Sequence, residues 1–121
     1  IAPTIVGGNT AVILASSLNP ILAISLAEVI STSDVSAGVV NILTGDREEL
    51  IPYFSSHKDV NAIIYCGNNL KQIEKIEEMA AENLKRVSIY KRKNWGDRKS
   101  QSPYFIENSQ EIKTIWHPTE I

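Results

Sequence analysis

The chain holds a single cysteine among its 121 residues, so no disulfide can form within it. This excludes the small secreted folds that are stapled by several disulfides and suits a reducing compartment; the expected location is the cytoplasm. No apolar run approaches the roughly 20 residues a membrane span needs. The sequence shows no signal-peptide pattern, and no membrane partner is expected. An excess of one charge is also lacking: 12 basic residues against 14 acidic ones leave a formal net charge of −2. That balance gives no reason to expect a nucleic-acid partner. The two histidines, His57 and His117, stand far apart and form no metal-ligand spacing with Cys66, so no metal site is expected. Patterns of the G-x-S-x-G, P-loop and H-E-x-x-H types are absent, as are internal repeats and low-complexity stretches.

What is present is an ordinary globular composition, 43% hydrophobic and 21% charged, in a chain long enough for one core. The organising stretch runs from Gly8 to Gly45. Thr10–Leu14 is a short apolar, partly β-branched run, read as a buried strand. Asn19-Pro20 starts a helix, with Asn as cap and Pro where a missing N–H costs nothing. Helix formers continue to Ile30, Ser31–Gly38 is loop, and Val39–Leu43 is a second apolar strand. Strands that are apolar on consecutive residues, joined by a helix, mark a βαβ unit in a covered parallel sheet.

Upstream, Ile1–Val6 reads as the last turns of a helix. Downstream, Asp46 and Glu49 have capping-box spacing, followed by an apolar face from Leu50, Ile51, Tyr53 and Phe54. Pro52 predicts that this helix is short or kinked. Asn61–Tyr65 is a third strand. Asn68 or Asn69 caps a helix whose Leu70, Ile73, Ile76 and Met79/Ala80 recur at helical spacing. Arg86–Tyr90 is a fourth strand. The fold class is therefore α/β, a Rossmann-like, doubly wound parallel sheet over residues 1–100. Within residues 101–121, Tyr104–Ile106 and Glu111–Trp116 predict an added C-terminal β-hairpin. Its exposed edge makes it a candidate oligomerisation element, and a homo-oligomer is expected.

The wording of the chain is also familiar. Ile1-Ala-Pro, Gly8-Asn-Thr-Ala-Val, Asn19-Pro, Leu26-Ala-Glu and Gly38-Val-Val-Asn-Ile-Leu-Thr-Gly45 occur in that order. They are followed by Ser56–Val60, Ile64-Tyr-Cys-Gly67 and Asn83-Leu-Lys-Arg-Val87. Together these resemble the NAD(P)-binding domain of the aldehyde dehydrogenase superfamily, over about the first three quarters of the chain. The members are several times longer, so the resemblance implies a domain cut or evolved from a larger protein. Trp116-His-Pro118 is similar in place and kind to the end of the family's pairing hairpin; on that reading the catalytic domain between the two segments is absent here.

The resemblance also implies a site, and at most of its positions this sequence departs from it. The family's ribose-binding lysine and glutamate fall on Leu14 and Ser17, with Ser16 before the latter. Leu14 cannot donate a hydrogen bond, and Ser17 is too short to replace a carboxylate fork. After Gly45, the two glycines that let a helix start approach the cofactor pyrophosphate fall on Arg47 and Ile51. Gly67-Asn68 keeps half of a Gly-Ser pair, and a plain turn with a helix cap is its commoner reading. The general-base glutamate falls on Tyr90, a poor base at its ordinary pKa of about 10, and the glycines after it on Arg92-Lys93. The nucleophilic cysteine belongs to a part of the family absent here; Cys66 stands at a threonine position and reads as a buried structural thiol.

The candidate cofactor-binding residues are thus Ser16, Ser17, Gly45, Gly67 and Asn68, and no catalytic residue is assigned. A basic run from Lys91 to Lys99, with Lys85, Arg86 and Trp95, is a weaker phosphate or nucleotide candidate, and a solvated loop is the commoner reading of such a run. Two functions compete. The favoured one is a non-catalytic domain, a pseudoenzyme, with a structural or subunit-association role, inactive alone and without cofactor. The alternative is an NAD(P)-binding domain of an oxidoreductase whose catalytic residues lie outside this chain.

Overall fold

The computed structural model describes residues 1–91 and 94–118. Its elements run α1 (Ala2–Val6), β1 (Ala11–Leu14), α2 (Pro20–Ser31), β2 (Val40–Leu43), α3 (Arg47–Ser56), β3 (Ala62–Cys66), α4 (Leu70–Ala81), β4 (Arg86–Tyr90), a 3-10 turn at Arg98–Ser100 and α5 (Tyr104–Glu107). Helices thus alternate with parallel strands, as the α/β reading expects.

The helix starts follow from local chemistry. Asp46 caps α3 by accepting the Glu48 and Glu49 amides at 2.7 and 3.1 Å. Asn69, not Asn68, caps α4, accepting from Lys71 and Gln72. Pro20 opens α2 as expected, but the Asn19 side chain makes no capping bond. Pro52 sits inside α3 without ending it. Its missing donor falls one turn into the helix, and the packing of α3 on α4 holds the ladder around it.

The sheet is not continuous. β1 pairs with β2 in parallel, Ala11 opposite Val40 through Leu14 opposite Leu43. β3 pairs with β4 in parallel, Ala62 opposite Arg86 through Cys66 opposite Tyr90. The two pairs are separate sheets, and β1 and β3 face one cleft instead of bonding to each other. The core lies on the second pair: Ile51 from α3, Tyr65 from β3, and Ile73 and Ile76 from α4, with Ile63, Val87 and Ile89 packed against them. By contrast α2 buries no residue, and its Ile21, Leu22 and Val29 are mostly exposed.

The predicted C-terminal hairpin does not form among the described residues. Tyr104–Glu107 is a helical turn, and 111–118 has no regular structure. The Phe105 ring finds its partners off any ladder, edge-on to Tyr90 at 5.2 Å and tilted against Trp95 at 5.9 Å. Asn9 Nδ2 donates to the Ser109 carbonyl at 3.2 Å, and Gln110 Nε2 to the Gly7 carbonyl at 2.9 Å. These contacts fold the start of the tail onto the end of α1, and an isolated hairpin, marginal in water, gives way to them.

Candidate functional site

In an open α/β sheet, ligands bind beyond the carboxyl ends of the strands. Here those ends carry Leu14, Leu43, Cys66 and Tyr90, and the turns after them carry Ser16, Ser17, Gly45, Gly67 and Asn68.

The turn after β2 leads straight into α3. Two of the N–H groups at this helix start are taken by the Asp46 carboxylate, and Glu48 and Glu49 add charge in the first turn. A helix start with free amides attracts anions; one filled by its own carboxylate and flanked by two more repels them. Arg47 turns away from this cap and places its guanidinium 5.8 Å from the centre of the Tyr65 ring. The Tyr65 hydroxyl donates to Gln72 Oε1 at 2.7 Å.

Both glycines have packing partners of their own. A Cβ on Gly67 would stand 2.7 Å from the Tyr65 hydroxyl oxygen and 2.8 Å from the ring, and one on Gly45 would stand 2.7 Å from a Leu50 methyl. Asn68 is exposed and leaves the capping role to Asn69. Ser16 and Ser17 lie on the exposed turn after β1, where Ser16 Oγ accepts the Leu18 amide at 3.3 Å. The structure therefore brings Arg47, Tyr65 and Gly67 together around the end of β3, while Gly45 packs against Leu50.

Cys66 corrects its sequence reading: the residue is exposed, not buried. Desolvation nevertheless pushes its thiol pKa up, against the smaller opposing pull of the N-terminal ammonium and Arg47. Tyr90 is held by aromatic neighbours, Trp95 edge-on at 5.8 Å and Phe105, and its hydroxyl accepts from Asn108 Nδ2 at 3.1 Å. The basic run is spread out. Lys85 is buried and donates to the His57 carbonyl at 2.7 Å, while Arg86 pairs with Glu111 at 3.6 Å. Both stand at the start of β4, about 17 Å in strand length from Lys91 at its other end. Lys91, Arg98 and Lys99 are exposed, and Arg92 and Lys93 lie outside the described residues. Sequence reasoning missed the burial of Lys85 and the Tyr90–Trp95–Phe105 group, because neither has a local pattern. Among the described residues no group of three His, Cys, Asp or Glu side chains could hold a metal ion.

The aldehyde dehydrogenase family model matches residues 1–90. This chain belongs to the aldehyde dehydrogenase family. Aldehyde dehydrogenase 1A1 of Mus musculus is 35% identical over 91 residues, 74% of this chain and 18% of that protein. An aldehyde dehydrogenase of Aspergillus niger is 29% identical over 112 residues, 93% of this chain and 21% of its own length. An aldehyde dehydrogenase-like protein of Schizosaccharomyces pombe is 29% identical over 118 residues, 96% of this chain and 22% of its own length. No solved structure matches significantly. The chain spans about a fifth of the length of the curated relatives it matches. The two fungal matches run on into the tail within that same fifth of the relatives. The tail thus continues the aldehyde dehydrogenase sequence directly, which overturns the expectation of a catalytic domain missing between residue 90 and the tail.

Aldehyde dehydrogenases are expected to use NAD(P), and the residues at the strand ends do not fit that group. At the α3 start, where the resemblance would put the pyrophosphate, Asp46 accepts two of the free amides, and where it would put the ribose-binding lysine stands the aliphatic Leu14.

Proposed function

We propose that this chain is a non-catalytic aldehyde dehydrogenase-like domain of a larger protein, with a structural or subunit-association role. The observation that carries this reading is the α3 start, where a carboxylate holds the amides that a cofactor phosphate would need. Leu14 and Tyr90, at positions where the family places a lysine and the general base, agree with it. So does the packing of Gly45 and Gly67, which the chain's own Leu50 and Tyr65 account for without a cofactor. Titration with NAD tests the reading: no saturable binding is expected, whereas tight binding would favour an NAD(P)-binding domain with its chemistry elsewhere. The association role rests on the large apolar residues left open, among them Ile112, Ile115 and Trp116 of the tail.

A further inference from the structure

We propose that the loop after β4 binds single-stranded nucleic acid. Trp95 is the stacking ring for a base, and Lys91, Arg98 and Lys99 are the cations for the phosphates around it. The loop stands apart from the turns after β1, β2 and β3, and the proposal does not rest on what those turns bind.

The net charge of −2 averages over two unlike parts of the chain. Residues 91–99 hold five basic side chains and one acidic one, a local charge of +4; the other 112 residues hold seven basic and 13 acidic ones, a charge of −6. A local concentration of this kind binds a polyanion by releasing its counterions, whatever the mean charge. The one acid of the run, Asp97, is engaged by its own turn, its carboxylate accepting the Lys99 amide at 3.2 Å. Lys91, Arg98 and Lys99 are exposed, and among the described residues none of the three enters an ion pair.

The loop holds this charge beside an aromatic ring. The Gly96 amide donates to Asn94 Oδ1 at 3.1 Å and Ser100 Oγ to the Asn94 carbonyl at 2.6 Å, which closes residues 94–100 into one turn. Tyr90, edge-on, and Phe105, tilted, fix Trp95 within that turn. Lys91 follows Tyr90 directly, so it leaves the strand beside the same ring group. Trp95 is nevertheless 49% exposed, and Tyr104, next to Phe105, is 69% exposed. A positioned, half-open indole among cations suits a strand of unpaired bases, since every base has an aromatic face to stack. The same residues argue against other anionic surfaces. Residues 91–103 include no Val, Leu, Ile or Met, so the loop offers no aliphatic side chain to a bilayer. An acidic peptide would use the cations and leave the placing of Trp95 without a purpose.

Fluorescence anisotropy tests this with a labelled RNA of about 12 nucleotides and mixed sequence, single-stranded or annealed to its complement, on the 121-residue chain. The single strand is expected to bind about tenfold more tightly than the duplex, whose bases are closed to the ring. With three phosphates neutralised, its affinity should fall roughly twentyfold between about 50 and 200 mM salt. Trp95→Ala should weaken binding by about fivefold or more, and Trp95→Phe, which keeps a ring, should restore most of the loss. Arg98→Glu with Lys99→Glu should abolish binding at an unchanged circular dichroism spectrum, and Trp116→Ala in the tail should leave it unchanged. If Trp95→Ala loses the fold, the charge variant and the duplex comparison still decide. No binding of the single strand at low salt, or equal affinity for the duplex, would overturn the proposal. So would equal affinity for inorganic polyphosphate, which has charge but no bases. Partition onto phosphatidylcholine–phosphatidylserine vesicles of about 3:1 composition, undiminished by RNA, would assign the loop to a membrane surface and overturn it as well.

Discussion

Leu84 carries a left-handed backbone, φ 56°, and is 89% exposed. It closes α4: the Lys85 amide reaches back to the Ala80 carbonyl at 3.0 Å, across a position where glycine is usual. A side chain in that conformation costs about 1–2 kcal/mol, and Leu84 recovers little of it by burial. Leu84→Gly should therefore raise stability by about 1 kcal/mol, read as a higher denaturant midpoint at unchanged slope. Cys66 gives a second residue-scale prediction. Since partial desolvation of the thiol raises its pKa, less thiolate is present at a given pH than for a free cysteine. Iodoacetamide should alkylate it more slowly than glutathione near neutral pH, with the rise in rate displaced to higher pH; a profile displaced to lower pH would contradict this. Of these features, only the presence of a lone cysteine could be read in the sequence. The left-handed turn at a leucine and the openness of Cys66 depend on packing that residue type does not encode.

At the scale of elements, the four strands and the three long helices were legible, because apolar runs, capping residues and helical spacing are local signals. Arg86–Tyr90 and the α4 stripe of Ile73, Ile76 and Ala80 lie where the pattern places them. The tail was misread for a physical reason. Tyr104–Ile106 and Glu111–Trp116 have strand-like composition, but β propensity reports fit to a neighbouring strand, and no strand stands beside them among the described residues. Asn9–Ser109 and Gln110–Gly7, about 100 residues apart in sequence, decide the outcome instead. The core is equally uneven. Ile76, 2% exposed, should cost about 2–5 kcal/mol when replaced by alanine. Leu22, 74% exposed on α2, should cost under about 0.5 kcal/mol in the same chemical-denaturation measurement. Equal losses at the two sites would mean that α2 is covered in solution.

For the whole molecule, the accessible surface is 9416 Å². A folded monomer of 13.4 kDa exposes about 6,500 Å². The difference, close to 3,000 Å², exceeds what one partner buries in a standard interface, about 800 Å². Such an excess agrees with the chain spanning a fifth of its relatives. Alone it is expected to self-associate through the open apolar residues of its tail, and sedimentation should give about twice the 13.4 kDa chain mass. A monomer at the highest concentration reached would contradict that. The candidate site was legible in part: the departures at Leu14, Arg47 and Tyr90 follow from the resemblance, and the Asp46 cap from its spacing. That the Asp46 carboxylate takes up both the Glu48 and the Glu49 amides emerged only from the fold. Whether this helix start has given up its cofactor is the central claim, and calorimetric titration of the chain with NAD measures it directly. Two or three charge-assisted hydrogen bonds to the cofactor, each contributing about 1.5–3 kcal/mol, have no donor or acceptor here, and without them binding is weaker by several powers of ten. No saturable heat is therefore expected up to millimolar NAD; a micromolar dissociation constant would contradict the account.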